Sequence, residues 1–99
     1  MDEEIRPPYN LLLEILHECP WTMHVFSILW KNQERFSLKV YMEDVEDIYL
    51  ISTTIFKQYL LDLSKIDALS FQLCNDHIKI KLYPNYSDDE IDAKGLTLC

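Results

Sequence analysis

Glycine is nearly missing from this chain. Gly95 is the only one in 99 residues, so no GxGxxG or Walker-type loop can be written and phosphate cradles built on repeated glycines are excluded. Bases are scarce as well: nine Lys and Arg against seventeen Asp and Glu give a formal charge of −8, and the nine never form a run. Nucleic-acid binding draws on a basic stripe that displaces phosphate counterions, and anionic membranes ask for the same. Neither direct nucleic-acid contact nor membrane binding is therefore expected. No apolar run approaches the ~20 residues of a membrane span. The start, Met-Asp-Glu-Glu, has neither the cationic residues nor the apolar stretch of a secretion signal. Cys19, Cys74 and Cys99 are odd in number and widely spaced, which reads as a reduced, intracellular protein without structural disulfides.

What is present is the material of one core. Apolar residues make up 48% and aromatics 12%, enough for a single folded domain of this length. Residues 1–8 form an acidic arm ending in Pro7-Pro8, and residues 9–99 a single α+β interaction domain. In YNLLLEILHEC, Leu11, Leu12, Ile15, Leu16 and Cys19 recur at helical spacing, with Asn10 as N-cap and Pro20 as stop. TMHVFSILW, residues 22–30, is apolar at nearly every position and rich in β-branched and aromatic residues, which predicts a strand covered on both faces. A polar turn, KNQER, leads to FSLKVYM, where Phe36, Leu38, Val40 and Met42 alternate with polar residues, and the two segments are expected to pair as a hairpin.

Glu43, Asp44, Glu46 and Asp47 then mark the exit from the sheet. Carboxylates suit the first turn of a helix, where unpaired N–H groups carry partial positive charge. Ile48, Ile51, Ile55, Tyr59 and Leu63 recur every three or four residues, widened by Phe56 and Leu60. The poor helix formers Ser52, Thr53 and Thr54 divide this into a short turn at 44–50 and a firmer helix at 53–64. Folding LSFQLC-ND-HIKIKL about Asn75-Asp76 sets Leu69 against Leu82, Ser70 against Lys81, Phe71 against Ile80, Gln72 against Lys79, Leu73 against Ile78 and Cys74 against His77. Every apolar residue then meets an apolar one, a match that a one-residue slip destroys. The closing GLTLC reads as a final strand, or as a chain cut before something longer. The fold class is α+β: antiparallel hairpins in a small sheet or sandwich, with an N-terminal and a central helix packed on it. Trp30 and Tyr41 are expected outside the buried face.

The residues capable of chemistry are few. His17, Cys19, Cys74 and His77 are ligand types for zinc, but the helix and the hairpin account for them without metal. Cys74 with His77 has the composition of a thiolate pair, yet a hairpin tip gives it neither shelter from water nor oxyanion donors. Asp88, Asp89, Glu90 and Asp92, like the earlier acids, lack the glycine-bearing pattern of a Ca²⁺ loop. No catalytic residue, cofactor or metal is expected. The residues assigned to partner binding are Glu43, Asp44, Glu46, Asp47, Asp88, Asp89 and Glu90, facing another protein with a basic surface.

The segment MEDVEDIY, Met42 to Tyr49, resembles the apolar-x-Asp-x-x-polar-apolar-aromatic signature of the head domains in the superfamily of DNA end-joining scaffolds, Cernunnos/XLF and PAXX, with the centriolar cartwheel proteins as distant relatives. Asp44 and Tyr49 stand in its aspartate and tryptophan positions. Pro20-Trp21, LSFQLCND and GLTLC fall in the same order. The resemblance implies a non-catalytic scaffold head that forms homodimers and serves double-strand break repair in the nucleus. The alternative from charge alone is a small acidic inhibitor, of the immunity or viral kind, that blocks a basic surface of its target.

Overall fold

In the computed structural model, which describes residues 7–82, the chain enters helix α1 at Tyr9–Glu18, as its spacing predicts. Asn10 is not the cap. Pro8 holds that position, and its carbonyl accepts from the N–H groups of Leu11 and Leu12 at 3.1 Å each. Leu11, Ile15 and Cys19 are buried, whereas Leu16 turns outward and is 53% exposed. A 3₁₀ turn, Pro20–Thr22, follows. Its Trp21 Nε1 donates to Asp62 Oδ2 at 2.9 Å, tying the turn to a segment 41 residues further on.

The predicted strand at 22–30 is a helix. Helix α2 spans Met23–Asn32 and buries Val25, Phe26, Leu29 and Trp30, a helical stripe. The exposed positions are His24, Ser27 and Lys31, which share the same period, and the terminal Asn32. A short continuous apolar run does not separate a buried strand from a buried helix, and here packing chose the helix. Trp30, expected outside, is 7% exposed and lies with ring centroids 5.8 Å from Phe26 and from Phe36.

With no strand at 22–30 there is no first hairpin. Strand β1, Ser37–Tyr41, pairs instead with a strand far along the chain. A 3₁₀ turn at Met42–Asp44 and the short helix α3, Val45–Tyr49, come next. Helix α4 then runs Thr53–Lys65 from a Ser52 cap whose side chain accepts from the Ile55 N–H. This matches the expected short turn and firmer helix.

The end of α4 is a Schellman motif. Ala68 N–H returns to the Leu63 carbonyl at 3.0 Å and Asp67 N–H to that of Ser64 at 3.1 Å, with Asp67 left-handed at φ 63°. Strands β2, Leu69–Leu73, and β3, His77–Leu82, pair in the register read from the sequence, Leu69 with Leu82 through Leu73 with Ile78. Cys74 N–H donates to the His77 carbonyl at 2.9 Å. The sheet is antiparallel with order β1-β3-β2. Its inner face, led by Val40, Ile78, Ile80, Leu69 and Leu82, shares one core with the four helices. The domain is α+β with a single small sheet.

Candidate functional site: a helix-turn-helix corner

Helices α3 and α4 are joined by the three residues Leu50, Ile51 and Ser52. Val45 and Tyr49 plug α3 into the core, and the Tyr49 ring meets Phe56 of α4 at 4.7 Å. Burial pushes the Tyr49 phenol above its ordinary value, a hydrogen bond with Asn32 opposing it. With those two side chains pointing in, the rest of α3 points out.

Glu43, Glu46 and Asp47 are exposed and Asp44 half-buried, in the first turns of the 3₁₀ segment and of α3. Beside them lies apolar surface, of which Ile48 and Ile55 belong to the expected buried stripe. Ile48 is 44%, Leu50 71% and Ile55 43% exposed, because the buried stripe of α4 is Phe56, Leu60 and Leu63. The predicted stripe was rotated by about one residue. Phe56 and Leu60, read only as its widening, are its centre. Leu50 stands in left-handed backbone, φ 60° and ψ 30°, a conformation that costs a branched residue ~1–2 kcal/mol. Leu50, Ile51, Ser52 and Glu46 line a shallow depression there. An apolar patch edged by carboxylates results.

The corner carries little basic charge. The outward residues of α4 include Ile55, Gln58 and Leu61, with only Lys57 and Lys65 as bases, while α3 presents acids where phosphate contacts would be made.

The other candidates are placed as follows. Asp88, Asp89 and Glu90 lie outside the described residues, as does the predicted closing strand. Among the described residues, no three His, Cys, Asp or Glu side chains gather as a metal site. Cys19 is a buried free thiol, pushed above its ordinary value by burial. Cys74 is half-buried where β2 runs into the hairpin turn. His77 Nδ1 lies 2.8 Å from Asp76 Oδ1, and this contact holds the Asp76 carboxyl below its ordinary value.

Comparison with protein-family models, curated proteins and solved structures gives no match. No helix among the described residues is long and apolar enough to cross a membrane.

Proposed function

We propose that this chain is a non-catalytic protein-interaction domain whose α3–α4 corner engages a partner presenting an apolar patch ringed by basic side chains. The observation that carries the reading is the exposed trio Ile48, Leu50 and Ile55 against Glu43, Glu46 and Asp47. Apolar side chains clustered on a surface mark interfaces, and flanking charges select the partner and speed its approach.

The resemblance to end-joining heads extends this to a nuclear scaffold. The exposed stripe Tyr9, Leu13 and Leu16 on α1 supplies a homodimer seam for it. The element order drawn for that resemblance begins with a strand at 22–30, where α2 lies. The second reading, an acidic antagonist of a basic target, uses the same corner and is favoured by its carboxylates.

The test is affinity capture with three baits: the full chain, its Ile48→Asp/Leu50→Asp variant, and its Glu43→Gln/Glu46→Gln/Asp47→Asn variant. Proteins retained by the wild type and lost from both variants support the corner. Retention unchanged in both removes it. Loss on neutralising the acids alone favours the antagonist, and light scattering of the wild type with Leu13→Asp reads the dimer.

A further inference from the structure

The outer face of the sheet carries the opposite charge to the rest of the molecule. Side chains alternate across a strand, so Lys39 and Tyr41 of β1, Lys79 and Lys81 of β3, and Ser70 and Gln72 of β2 point away from the helices. No acid stands among them. Lys39 is directly opposite Lys79, an arrangement of like charges that repels. Neither has an ion pair among the described residues. The Lys39 ammonium lies 5.8 Å from the centre of the Tyr41 ring. The carboxylate that feels Lys39 is Asp76, already hydrogen-bonded to His77.

We propose that this lysine face is the docking surface for the chain's own acidic segment, residues 88–92, with Asp88, Asp89, Glu90 and Asp92 set over Lys39, Lys79 and Lys81. Charge complementarity selects it, because these four acids come only six to ten residues after the end of β3. Reach allows it too. Six residues from Leu82 to Asp88 extend up to ~20 Å, and Lys79 lies about 10 Å back along the strand. The contact relieves the Lys39–Lys79 repulsion and screens the basic face, so that the assembled domain turns acid toward its surroundings. It is independent of the α3–α4 corner, and either idea survives the loss of the other.

Zero-length carbodiimide crosslinking of the full chain, mapped by mass spectrometry, tests it. Crosslinks from Lys39 and Lys79 to residues 88–92 are expected within one molecule. They should disappear in the Lys39→Gln/Lys79→Gln variant, and in about 1 M salt, where screening acts within ~3 Å. Mixing isotope-labelled and unlabelled protein distinguishes copies, and hybrid crosslinks would assign the face to a second copy and overturn the proposal. So would crosslinks reaching only Glu43, Glu46 or Asp47. A fluorescent oligothymidylate bound by the wild type, and released by the same double lysine variant, would give the face to nucleic acid instead.

Discussion

Two residues sit left-handed at helix ends, and they make a natural pair of experiments. Asp67 closes α4 and Leu50 closes α3. Glycine relieves ~1–2 kcal/mol of crowding there and returns about 0.4–1 kcal/mol through the freer unfolded chain. Leu50→Gly should therefore raise stability modestly, by about 0.5–1 kcal/mol in urea unfolding, and Asp67→Gly by less, since aspartate tolerates the conformation better. Only Leu50→Gly should weaken partner capture. A stabilised variant that loses binding would show that Leu50 is kept for contact rather than for folding. Equal capture by both variants would return it to the bland status of a helix end. Nothing in the sequence singles out Leu50, which lies outside the expected stripe.

At the scale of elements, α4 is the keystone, packed on β2, on α3 and on the 3₁₀ turn at 20–22. Leu60 is fully buried, and Leu60→Ala should cost about 2–5 kcal/mol, read as a lowered denaturation midpoint. Asp62 accepts from Trp21 and from Gln58 at the surface. Asp62→Ala should cost only about 0.5–1.5 kcal/mol, with a shift in Trp21 fluorescence as the turn loosens. The hairpin β2–β3 was legible because its pairs are local and its alternation has one good register. Helix α2 was misread because its apolar positions are nearly continuous, although His24, Ser27 and Lys31 kept the helical period throughout. The acids of the candidate site were legible as charge. Their apolar neighbours were not, since which face of α4 points inward depends on what packs against it.

For the whole molecule, pH gives the broadest check. Cys19 and Tyr49 have folded-state values raised by burial above the ordinary 9.0 and 10.0. Their contribution is complete below those ordinary values, and is lost as pH climbs through the folded ones. Melting temperature should fall on the alkaline side from about pH 9, and Tyr49→Phe should flatten that limb above its own ionisation. Asp76 runs the other way. Its lowered value supports the fold above the ordinary 3.8 and gives way as pH drops through the folded one, so Asp76→Asn should soften the acid limb. A melting temperature indifferent to alkali would mean that the two groups are not buried as described.

The sequence by itself determined what depends on neighbours along the chain: helices α1 and α4 by spacing, the register of β2 against β3, and the acidic balance of the charge. Only the tertiary structure decided what depends on distant partners. It placed β1 beside β3 in the order β1-β3-β2, made 22–30 helical, and turned Ile48 and Ile55 outward. Local periodicity tells a segment that it has an apolar face. Which distant surface covers that face, or leaves it bare, is settled when the elements compete for one core.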